Sequence, residues 1–67
     1  MSQRNDVLAT LAMMSESLEE TLKEASLLRE LAVEEEVLIG AASISKTCNN
    51  ALRYARHIRT QLTRSKS

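Results

Sequence analysis

Two apolar stripes at helical spacing run along this chain, and they do not share a phase. Val7, Leu11, Met14, Leu18, Leu22, Ala25, Leu28 and Ala32 follow one another at steps of three or four, along one side of an α-helix. Val37, Ala41, Ile44, Cys48, Ala51, Ala55, Ile58 and Leu62 form a second stripe that alternates four and three without a slip. One seam class falls at 11, 18, 25 and 32 in the first stripe and at 41, 48, 55 and 62 in the second. Ala32 to Ala41 is nine residues, two more than a heptad. On a straight helix two residues turn the stripe by roughly 200°. A continuous rod would carry its stripes on nearly opposite sides and set Glu35 or Glu36 in the apolar line. A turn near Ala32–Glu36 removes both conflicts. The expectation is an all-α, antiparallel two-helix hairpin of coiled-coil type. Its helices span about 5–32 and 37–63, with a turn at about 33–36 and a frayed tail at 64–67.

The composition agrees with helix throughout, having no proline, one glycine and one aromatic residue, Tyr54. Asn5 or Ser2 fits an N-cap, and Asp6 then stands where the helix dipole favours an anion. Glu19 and Lys23 make a favourable i, i+4 pair. Several small residues in the second stripe allow a neighbouring helix to approach closely. Two other breaks compete with the turn at 33–36. Gly40 suits a position just past a helix end, and Ser17-Leu-Glu-Glu20 fits a capping box that splits off a short first helix.

Sixty-seven residues make one small domain at most. A chain of this size buries only about 60% of the surface its unfolded form exposes, so it needs a staple, a metal or another chain. Cys48 has no second cysteine to pair with, and Cys48 with the single His57 falls short of a metal-ligand set. Completion by oligomerisation or a partner is the remaining route. A lone cysteine, a polar N-terminal stretch and the lack of a long apolar run predict a cytoplasmic protein with no membrane span.

The zero net charge conceals a division. Residues 1–36 hold all nine acidic side chains against Arg4, Lys23 and Arg29, whereas residues 37–67 hold six cations and no acid. Antiparallel pairing is expected to set an acidic helix beside a basic one, with each exposed pair contributing little.

Candidate sites follow from the same pattern. Cys48 lies in the seam, where it reads as a small buried hydrophobe. His57, nine residues on, leaves the thiol without a base for catalysis. Arg53, Arg56, His57, Thr60 and Arg64 share one helical face that suits phosphates or an acidic partner. Nucleic acid is the weaker choice, because the other half is acidic and stacking aromatics are absent save Tyr54. Leu27, Leu31, Val33, Leu38, Ile39 and Leu52 lie largely outside the seams, and most cluster about the turn. Left exposed, they form a partner-binding patch, and a four-helix bundle of copies buries the same residues. Adjacent glutamates at 34–36 point in different directions on a helix, so they read as a solvated turn rather than a cation site. No phosphate loop, nucleophile triad or ligand-spaced cluster occurs. The expectation is no enzyme, no cofactor and no metal.

A chain of this size with two amphipathic helices and a charged turn resembles the small cytoplasmic co-chaperones of type III secretion needle subunits. The resemblance covers the whole chain in size and pattern. It implies a helical hairpin that joins a larger helical-repeat chaperone and keeps the needle protein soluble until export. The expected function is a non-enzymatic helical adaptor or co-chaperone. The alternatives are a homo-oligomeric bundle with a regulatory or RNA-binding role, and a subunit of a larger coiled-coil assembly.

Overall fold

The structure is a computed structural model and describes residues 2–64. Helix α1 covers Ser2–Leu31 and helix α2 covers Glu35–Arg64. Thirty residues at 1.5 Å each come to roughly 45 Å, which accounts for most of the long dimension in an envelope of 52 × 15 × 12 Å. Two such helices joined by three residues fit that envelope only folded back on each other, and their Cα atoms approach within 8 Å. The fold is an all-α antiparallel hairpin, with no strand among the described residues.

The reversal takes only residues 32–34. The Ala32 N–H still donates to the Leu28 carbonyl at 2.8 Å, completing the last turn of α1. The Leu38 N–H donates to the Glu34 carbonyl at 3.2 Å, which makes Glu34 the N-cap of α2. No described residue has positive φ, so the chain turns without a left-handed residue. The turn thus comes slightly earlier than the expected 33–36. Two effects favour that position. Glu35 and Glu36 enter the first turn of α2, where the dipole stabilises anions. Glu30 and Glu34 also avoid the like-charged i, i+4 pair that a continuous helix would impose.

Neither of the two competing breaks forms, and one local expectation is corrected. Gly40 sits inside α2 with helical backbone and ends nothing. Ser17 lies inside an unbroken α1, where its carbonyl accepts the Thr21 hydroxyl at 3.0 Å, so no separate N-terminal helix forms. The start of α1 at Ser2 places Asn5 within the first turn and leaves that turn without an acid. Ser-Gln-Arg contains no helix breaker, so the helix continues past the expected start. The alternative cap, the Ser2 side chain, lies outside the described residues, as do residues 65–67 of the expected tail. Arg64 is helical.

The core is narrow and built of small residues. Leu11 and Ala25 from α1, with Ala41, Cys48 and Ala55 from α2, are the buried apolar positions. Leu18 is half-buried. These six are symmetric about Val33, for Ala25 and Ala41 stand equally far from it along the chain. So do Leu18 and Cys48, and Leu11 and Ala55. The pattern gives three layers in which a small residue always occurs, allowing close helix approach. Thr21, half-buried beside the seam, satisfies its hydroxyl on the helix backbone.

The two stripes do not bury each other completely. Val7, Met14, Leu28, Ile44 and Ile58, read as seam positions, stay 40 to 45% exposed. Leu8, Ser15 and Ser45 on the other flank are half-buried instead. One helix contacts only a strip of its partner, and these stripes are wider than that strip.

Candidate partner-docking site at the turn

Leu31 and Val33 border the closed end of the hairpin, where a three-residue reversal brings the last turn of α1 beside the first turn of α2, and Ile39 lies on the outer side of α2 just beyond it. Val33 at the apex is 93% exposed, Leu31 70% and Ile39 60%. Leu27 is also exposed, and Leu38 lies at the margin with just over a third of its surface open. A shallow apolar depression lies between the helices here, lined by Leu28, Leu31, Ala32, Val33, Glu34 and Val37. Leu52 does not join this group. It is half-buried against α1, midway along α2, because it follows the buried Cys48 by one helical turn.

Glu30, Glu34, Glu35 and Glu36 surround the apolar end, with Arg29 the nearest cation in sequence. All are exposed. This end can therefore bury an apolar surface while its carboxylates remain in water or meet cations on a partner. It offers no group placed for bond chemistry. Among the described residues no cluster of metal-ligating side chains occurs, and no helix is long and apolar enough to cross a membrane.

The basic face lies elsewhere. Arg53, Arg56, His57, Thr60 and Arg64 are exposed on the outside of α2. Asn50, Arg53, Tyr54 and His57 line a shallow groove there. Cys48 is a buried free thiol, while His57 is solvent-exposed.

The expected neutralisation of an acidic helix by a basic one takes a different form. Among the described residues no cation comes within ion-pairing distance of a carboxylate, including Glu19 and Lys23. Folding instead sorts charge along the hairpin. Residues 16–50, the half nearer the turn, carry eight carboxylates against Lys23, Arg29 and Lys46. The open half, residues 2–15 and 51–64, carries Arg4, Arg53, Arg56, Arg59 and Arg64 against Asp6. This separation was hidden in the sequence because it depends on where the chain reverses.

Comparison with known proteins gives no match to a family model, a curated protein or a solved structure.

Proposed function

We propose that this chain is a non-enzymatic helical adaptor or co-chaperone that docks its apolar turn end onto another helical protein. The observation that carries this reading is the apolar depression at the turn bordered by the exposed Leu28, Leu31 and Val33, with Leu27 and Ile39 exposed on the outer sides of the helices nearby. Burying a large apolar side chain gains about 1.5–3 kcal/mol, so several of them supply a compact anchor for a helix groove. The ring of carboxylates favours a partner with cations about an apolar centre and steers its approach more than it adds affinity. A needle-subunit co-chaperone role fits a small helical hairpin of this kind, with a helical-repeat chaperone as the partner and the cytoplasm as the location.

The test is co-expression with a type III needle subunit and its helical-repeat chaperone, followed by purification of the complex. Wild-type protein is expected in a stable ternary complex. Ile39→Asp or Leu31→Asp should reduce binding by on the order of a hundredfold while circular dichroism shows unchanged helix. Binding that survives both changes refutes the turn-end site. No complex with the wild-type chain refutes the secretion role.

A further inference from the structure

We infer that a second copy of this chain packs end for end on one broad face of the hairpin, giving an antiparallel four-helix dimer. The inference centres on this broad face, which meets the turn-end depression only at Leu28, Leu31 and Val37, and it does not depend on the turn-end reading.

A two-fold axis normal to the hairpin relates its helices approximately, so equivalent flanks of the two buried lines share one face. Val7, Met14 and Leu28 from α1 lie on the same side as Ile44 and Ile58 from α2. Each is 40 to 45% exposed. Half-buried Val37 and Ala51 continue the α2 line between them. At the turn, Leu28, Leu31 and Val37 border one apolar depression across the two helices. At the open end, Val7 borders another with Gln3, Asp6 and Thr10.

The next positions outward on this face include Thr10, Ser17, Thr47 and Gln61, and Glu24 is the only charged one among the described residues. The opposite face carries Glu19, Arg29, Arg56 and Arg59 at the corresponding flanking positions. The more exposed apolar strip thus lies on this side, whereas Leu8, Leu22 and Leu52 on the other side are half-buried between the helices. The hairpin measures 52 Å by 15 Å in its two larger dimensions, room for the roughly 800 Å² that each partner of a standard interface buries.

The separation of charge along the rod makes it complementary to a reversed copy of itself. A copy laid parallel would place acidic end on acidic end. A copy turned end for end sets the acid-rich turn end of each chain beside the arginine-rich open end of the other, with most of these charges on the outer sides of the helices rather than in the apolar strip. The same rotation stacks α1 on α1 and α2 on α2, antiparallel, so every adjacent helix pair in the bundle is antiparallel. The turn ends then point outward from opposite ends of the dimer.

Sedimentation equilibrium on the full chain tests the association. The expected species is a dimer that weakens as salt is raised. Ile44→Glu and, on the other helix, Met14→Glu should each weaken it by about tenfold or more, with helix content followed by circular dichroism. Ile39→Asp should leave it intact. A spin label at Thr63→Cys, in a Cys48→Ala background, reads direction without disturbing the face. An inter-chain separation approaching the 52 Å length of the hairpin is expected. A monomer at all concentrations, a short label separation, or a dimer indifferent to both glutamate substitutions overturns the inference.

Discussion

Gly40 and Ala41 are neighbours with different constraints. Ala41 is 1% exposed and matches Ala25 in register about the turn, so its small size serves helix approach. Gly40 has helical backbone without positive φ, and a Cβ built on it meets nothing within 4 Å. Its freedom serves no local geometry and costs helix stability. Gly40→Ala should raise stability by about 0.8–1 kcal/mol, read as a higher urea midpoint with an unchanged m-value. A loss of stability would reveal a packing role for the bare backbone. In the sequence Gly40 competed for the turn because glycine commonly follows helix ends. The actual reversal at Val33 carries no such mark, as its residues all keep negative φ. Only the phase shift between the stripes located it.

At the scale of the element, the weak point is the start of α2. Glu34 provides the cap carbonyl for Leu38, yet glutamate is outside the set of residues that cap well with their side chains. A shorter carboxylate reaches the free N–H groups of the first turn and keeps the charge that the dipole favours. Glu34→Asp should stabilise the hairpin by about 0.5–1 kcal/mol, visible as an upward shift of the thermal midpoint. Equal or lower stability would place the limiting weakness elsewhere. The helices themselves were legible, since each stripe keeps its phase over eight positions and nothing interrupts it. Which flank of each stripe is buried was not legible. Leu8 is more covered than Val7, and Ser15 more than Met14, although hydrophobicity alone ranks Met14 above Ser15. The outcome depends on how the partner helix is rotated, a tertiary property. Leu52 illustrates the same limit. One position off the stripe, it reads as exposed, but that position is a covered flank.

For the whole molecule, the apolar turn end was legible once the turn was placed, because Leu31, Val33 and Ile39 lie close to it in sequence. The long apolar face was not, since its members belong to both stripes and only incomplete coverage distinguishes them. The charge pattern changed most between sequence and fold: two oppositely charged halves of the chain became two oppositely charged ends of a rod. This has a practical consequence. A formal charge of zero at pH 7 suggests that neither class of ion exchanger retains the protein near neutrality. Separation over some tens of ångströms exceeds the Debye length of about 10 Å at 0.1 M salt, so a resin bead senses one end at a time. As a monomer at low salt the chain should be retained on both anion and cation exchangers, held by its turn end on the first and its open end on the second, and an end-for-end dimer, which sets acidic ends beside basic ones, should lose this double retention. Scrambling the charges at constant composition should abolish both retentions.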